Sequence, residues 1–242
     1  MAQTVLLFGA GVPDGVGGAI AQRFASKGLH IVVTGRTVEK VEQTTAHLKD
    51  QGLSAETIAC DVTDNAQVTA VFDHAKALGQ PVASVIFNAG YNWPIKFEDI
   101  TPDQFENFWR IGCFGGFLVA KQAMPLLAAQ GTGSALFTGA SASVRGKPSF
   151  AHFSAAKGGL RNMVQSLARE YGPQGVHVAH VIIDGVVSGD RIKTLANEYL
   201  DKLGEDGALA PAAIAETFWS IHTQPRSAWT HEIDLRPFKE VW

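Results

Sequence analysis

TVLLFGAGVPDGVGGAIAQRF, Thr4 to Phe24, decides the fold. Thr4 to Phe8 is too short for a helix and apolar almost throughout, so it reads as a strand buried on both faces of a parallel sheet. Glycines at 9, 11, 15, 17 and 18 follow, and from there apolar residues recur at helical spacing. A strand running through glycines into a helix places backbone N–H groups and the positive helix end where they hold a phosphate. Gly9, Gly11, Gly15, Val16 and Gly17 are therefore the expected contacts, and a nucleotide the expected ligand.

The same alternation continues outward. HIVVTG, AETIAC, VASVIF, SALFTG and HVAHVII are short and apolar, and between them Gly17 to Lys27, Val38 to Asp50, Asn65 to Leu78, Pro102 to Ala129 and Phe150 to Tyr171 carry helix-period apolar residues. Strands alternating with helices through right-handed crossovers predict an α/β fold, a single doubly wound parallel sheet of about seven strands with helices on both faces. No linker or repeat interrupts it, so residues 1–242 read as one domain. The polar, glycine-bracketed segment from about 188 to 207 is expected to be a mobile substrate lid. Pro211 to His222 reads as a further helix, and from about 228 come a seventh strand, His231 to Leu235, and an aromatic tail.

Of 242 residues, 46% are hydrophobic and 18% charged, ordinary globular proportions that argue against disorder. A net charge of −3 offers no basic field for nucleic acid or an acidic membrane, which leaves small molecules as partners. The start, MAQTVLLFGAG, has no basic leader, and no unbroken apolar run reaches about 18 residues, so neither a signal peptide nor a membrane span is expected and the location is cytoplasmic. Cys60 and Cys113 lie in apolar stretches without metal or disulfide spacing and are expected to be buried packing residues; no metal site is expected.

The second strand ends in Gly35-Arg36, without an acid to accept hydrogen bonds from both ribose hydroxyls. Arg36 is placed to meet a 2′-phosphate, which favours NADP(H) over NAD(H). Asp14 in the glycine loop pulls the other way, since a carboxylate near that phosphate repels it.

Asp61-Val62 follows the third strand, Asn88-Ala89-Gly90 the fourth, and Lys157 lies on a helix after the fifth. Their order and spacing resemble the classical short-chain dehydrogenase/reductase family over nearly the whole chain, with its Rossmann-like fold. The resemblance implies that Asp61 bonds the adenine, that Val62, Asn88, Ala89, Gly90 and Gly185 line the cofactor, and that Lys157 holds the nicotinamide ribose. It also implies a homodimer or homotetramer assembled through the 102–129 and 150–171 helices, whose apolar surface an isolated subunit would expose. The family's first two glycines enclose three residues; here either Gly11 is the first, or Gly9 is and the loop holds two extra residues. Three positions of the proton relay are vacated: Phe153 stands for the tyrosine, Ala140 for the serine and Gly112 for the asparagine. The pattern resembles a divergent subgroup that keeps the lysine with phenylalanine for tyrosine. Asp184-Gly185 replaces the usual Pro-Gly.

A phenylalanine cannot give a proton to a developing alkoxide. Replacement candidates are Tyr91, the only phenol near the expected site; Asp184, a carboxylate that burial would hold protonated; and Ser141, with Ser143, at a strand end. Each has a plainer reading: Tyr91, Asn92 and Trp93 as pocket wall, Asp184 as a loop cap, the serines as hydroxyls satisfying backbone. His152, about 100° round the helix from Phe153, is expected to point away from Lys157 and to be partly exposed. Trp93, Phe97, Phe150 and Trp219 suggest an apolar pocket. Two functions stay open: NADP-dependent hydride transfer on an unknown carbonyl or alcohol with Lys157 retained, and a catalytically inactive nucleotide-binding homologue acting as a sensor or as structural partner of an active homologue in a hetero-oligomer.

Overall fold

The computed structural model describes residues 3–240; the end of the aromatic tail, Val241 and Trp242, lies outside the described residues. Seven strands form one sheet: β1 (Thr4–Phe8), β2 (His30–Gly35), β3 (Ala55–Ala59), β4 (Val82–Phe87), β5 (Ser134–Ala140), β6 (His177–Ile183) and β7 (Glu232–Leu235). Their order is β3-β2-β1-β4-β5-β6-β7, with every pairing parallel. The pleat of β1 sends Leu6 and Phe8 into one core layer and Val5 and Leu7 into the other. That two-sided burial is why the strand carries no polar alternation.

On the Leu6–Phe8 side pack α3 (Asn65–Ala77), α5 (Gly115–Gln130) and α6 (Ala151–Tyr171); on the Val5–Leu7 side pack α1 (Val16–Ala25), α2 (Val38–Asp50) and α8 (Pro211–His222). The chain leaves β1 for β2 in one direction and resumes at β4 on the other, so a crevice opens where the carboxyl ends of β1 and β4 diverge. A ligand of an open α/β sheet binds at such a switch point.

One element departs from the sequence expectation. The segment expected as one helix over 102–129 is α4 (Pro102–Trp109), a wider π turn (Arg110–Phe114) and α5, with Gly112 inside that turn. The continuous run Pro102–Gln130 is also long and apolar enough to cross a membrane by length and composition, although its sequence is interrupted by polar residues; here α5 packs on α3, β4, β5 and α6. The polar segment after β6, read from the sequence as helical, contains α7 (Asp190–Leu203), broken at Ala196, where φ is −158°.

Candidate functional site: the crevice at the ends of β1, β4 and β5

The glycine loop divides into two kinds of position. Gly9 has φ +88°, and a Cβ there would lie 2.5 Å from the Ala89 backbone nitrogen, so the close approach of the β1 and β4 ends demands glycine. Gly17 and Gly18 seat α1 on its own loop, where a Cβ would meet Ala10 and Pro13 carbonyl oxygens at 2.4 Å. Gly11 faces open space, and Gly15 caps α1 with no side-chain acceptor for the first-turn amides. Those amides and the positive end of α1 fit an anionic pyrophosphate.

Around the loop, Arg36 is exposed beyond β2 and forms no ion pair among the described residues. Asp14 turns towards α7 instead: its carboxylate lies 3.9 Å from Lys193 Nζ, and its carbonyl accepts a long bond of 3.4 Å from the Asp190 amide. Asp61 Oδ1 accepts from the Thr63 amide and hydroxyl at 2.9 and 2.8 Å, which fixes the turn after β3. Val62 is buried beneath Gly115, where a Cβ would sit 2.8 Å from it. Gly185, with φ +152°, packs against Pro237 in the tail.

The floor of the crevice is a chain of hydrogen bonds. Asn88 Nδ2 donates to the Gly9 carbonyl at 2.8 Å, and its Oδ1 accepts from Thr138 Oγ1 at 2.9 Å. Lys157 Nζ donates to the Thr138 carbonyl at 2.8 Å. A Cβ on Gly90 would sit 3.5 Å from that ammonium, so Ala89-Gly90 passes directly over it. Burial pushes the Lys157 pKa down to about 8, because desolvation disfavours the charged form. Phe153, one turn earlier on α6, puts its ring 5.9 Å from Nζ. The helical spacing therefore does bring residues 153 and 157 to one face.

Gly90, Tyr91, Phe108, Ile111, Gly112 and Phe153 line a small pocket in front of this lysine. Gly112 and Phe153, two of the three positions where the resemblance leads one to expect relay residues, thus meet in it. Ala140, the third, closes β5, and its amide donates to Ser143 Oγ at 3.1 Å. Tyr91 is half-buried, and its hydroxyl oxygen accepts a 2.7 Å bond from Asn107 Nδ2 on α4. Asn107 is a partner that sequence spacing does not disclose, since it comes from a different element.

Several expectations are corrected here. Asp184 is buried as expected, yet it is no isolated acid: Arg145 Nη2 contacts both its oxygens at 2.8 and 3.1 Å, and Arg236 lies 3.8 Å away. Tied to both arginines in this way, Asp184 braces the loop after β6. His152 is fully buried rather than partly exposed, with its ring 4.2 Å from Phe108; burial lowers its pKa. Trp219 lies far from the pocket, edge-on to Phe24 at 5.3 Å between α8 and α1. Ser141 remains half-buried at the end of β5. Cys60 and Cys113 are buried free thiols, as expected.

Sequence reasoning also missed a buried polar chain beside Lys157. Ser143 Oγ and His180 Nε2 are 3.4 Å apart, His180 Nδ1 and Glu232 Oε2 are 3.1 Å apart, and Arg161 grips Glu232 with two bonds of 2.7 Å. Burial drops the His180 pKa to about 4, so Nδ1–H donates to Glu232 and the Nε2 lone pair faces Ser143. The one signal was a histidine in the middle of the apolar run HVAHVII.

The family model for short chain dehydrogenases matches residues 3–199. The chain belongs to the short-chain dehydrogenase family. The versicolorin reductase of Emericella nidulans is 31% identical over 199 residues, which cover 82% of this chain and 74% of that one. A short-chain dehydrogenase from Rhodopseudomonas palustris superposes with a TM-score of 0.83 at 34% identity, over 98% of this chain and 99% of its own. A metagenomic short-chain oxidoreductase in complex with NADP gives a TM-score of 0.82 at 24% identity over 97% of each chain, a likeness of fold. In this short-chain dehydrogenase the crevice holds Lys157, with Phe153 beside its ammonium and Gly112 in the adjoining pocket wall.

Proposed function

We propose that this short-chain dehydrogenase is an NADP(H)-dependent oxidoreductase of a divergent subgroup with phenylalanine for the catalytic tyrosine, acting on a carbonyl or the corresponding alcohol, with Tyr91 as the proton donor. The observation that carries this reading is the Tyr91 hydroxyl, held by Asn107 at 2.7 Å on the wall of the pocket that also contains Phe153 and Gly112. NADPH, when bound, supplies the hydride. The amides at the start of α1 and the glycine loop would hold its pyrophosphate, Asp61 its adenine, Arg36 its 2′-phosphate, and Lys157 its ribose, with Asn88, Ala89 and Gly90 along its side. A neighbour of the same fold carries NADP, and the exposed Arg36, which forms no ion pair among the described residues, supports that choice over NAD.

In reduction, the Tyr91 phenol gives its proton to the substrate oxygen as that oxygen gains negative charge. The amide of Asn107 occupies a lone pair of the phenolic oxygen, which turns the phenol's hydrogen towards the pocket and stabilises the phenolate left behind. The buried ammonium of Lys157 biases the same region towards negative charge. Ser141, half-buried just after β5, would hydrogen-bond the substrate oxygen. Asp184 has no part, because Arg145 holds it.

Tyr91→Phe should lower kcat by about 10²- to 10⁴-fold, the contribution of a general acid, with NADPH binding unchanged. Full activity in that variant rules Tyr91 out. Titrations with NADPH and NADH test the cofactor separately, and Arg36→Ala should weaken only NADPH.

A second reading, a nucleotide-binding subunit without turnover that serves as sensor or structural partner, draws support from the contact between Phe153 and the Lys157 ammonium. It predicts NADPH binding, no turnover across a carbonyl panel, and co-purification with an active homologue. On either reading Phe105, Trp109 and Phe117, exposed along α4 and α5, support assembly through that face, which light scattering would report.

A further inference from the structure

We infer that the substrate carries a flat aromatic ring beside its reacting carbonyl and docks that ring against Trp93 and Tyr91. This inference rests on the reading of the chain as a hydride-transfer enzyme. The residues after Gly90 build a rigid aromatic face. Tyr91 and Trp93 stack with centroids 5.0 Å apart and planes 11° from parallel. Phe108 packs on both, at 4.8 and 4.9 Å, and the buried ring of His152 backs Phe108 at 4.2 Å. A face fixed from behind in this way loses little side-chain entropy when a ligand covers it.

Despite that packing, Trp93 remains 44% exposed. A large indole held rigid and open beside a functional crevice is surface that a ligand is suited to cover. Across the pocket stands Phe153, with Ile111 and the bare backbone of Gly112 completing the wall. Apart from the Tyr91 hydroxyl, the side chains lining this pocket are carbon.

Stacking separates aromatic from merely apolar ligands. An offset ring gains from its quadrupole beyond the area it buries, whereas a saturated ring of the same size meets a flat face with puckered C–H bonds and gains only the burial. One such ring contact, at about 1.4 kcal/mol, corresponds to about tenfold in affinity.

The test uses 2-tetralone and trans-2-decalone, which share a bicyclic carbon skeleton and differ in one aromatic ring. Calorimetric titration into protein already saturated with NADPH should show 2-tetralone binding at least about tenfold tighter. Trp93→Ala should reduce that preference to threefold or less while the Kd for NADPH stays the same, and Trp93→Leu, which keeps bulk, should behave alike. Equal binding of the two ketones, a preference that survives both variants, or no binding of either by the NADPH-loaded protein overturns the inference. Failure to bind NADPH at all overturns instead the proposed function beneath it, so the two failures are distinct.

Discussion

Replacing Asp184 by asparagine separates a brace from an acid. The variant keeps the shape and one acceptor oxygen but removes a charge that is 2% exposed and faces two arginines. Removing one partner of a fully buried ion pair costs about 3–5 kcal/mol. The cost here is smaller for three reasons: the side chains of Arg145 and Arg236 keep 23% and 19% of their surface in water; Arg236 retains Asp234 at 2.7 Å; and the amide oxygen still accepts from Arg145. We expect a loss of about 2 kcal/mol, which for a chain of this size lowers Tm by roughly 4–8 °C. Thermal melts, an NADPH titration and a turnover assay on the same preparation decide the matter. NADPH binding and turnover per folded molecule should survive, and Arg145→Met combined with Asp184→Asn should cost less than the two losses added together. An unchanged Tm with turnover lost at least about 100-fold, the scale of a missing general acid, and cofactor binding intact would refute the reasoning and return Asp184 to the role of acid.

Lys157→Met should raise the stability of the free protein. Burial holds the lysine at about 8 against its ordinary 10.5, so the unfolded chain binds more protons between those values and stability rises with pH across that window. The variant should lose that rise and, after forfeiting the bond to Thr138, gain about 1–2 kcal/mol near neutral pH by thermal melt, while NADPH affinity falls; a lower Tm with the alkaline rise intact counts against it. On the acid side, burial brings His180 and His222 to about 4. The unfolded chain then binds more protons as pH falls from about 6.5, so stability declines from there to about 4, and His222→Asn should make the decline shallower in a pH series of melts. Gly139→Ala would place a methyl 2.3 Å from His180 Nε2, forcing the ring off Ser143 and Glu232 at a cost of roughly 1–3 kcal/mol; an unchanged melt would show that the ring is free to move.

The sequence by itself determined the architecture. Apolar strands buried on both faces, separated by helix-period segments, admit few arrangements other than a parallel sheet between two helical layers, and Thr4 to Phe24 read directly as strand, glycine loop and helix, because burial period and glycine freedom are local properties. The shared face of Phe153 and Lys157 was equally legible, since four residues make about one helical turn. Neighbours from distant elements were not. Asp184 read as a candidate acid until Arg145 and Arg236 arrived from other loops; His152 read as exposed until Phe108 covered it; Trp219 read as pocket wall until α8 carried it to α1. Asn107 beneath Tyr91, and Glu232 beneath His180, have the same origin. Charge state and burial depend on what long-range folding places within a few ångströms of a group, and only the tertiary structure decided that.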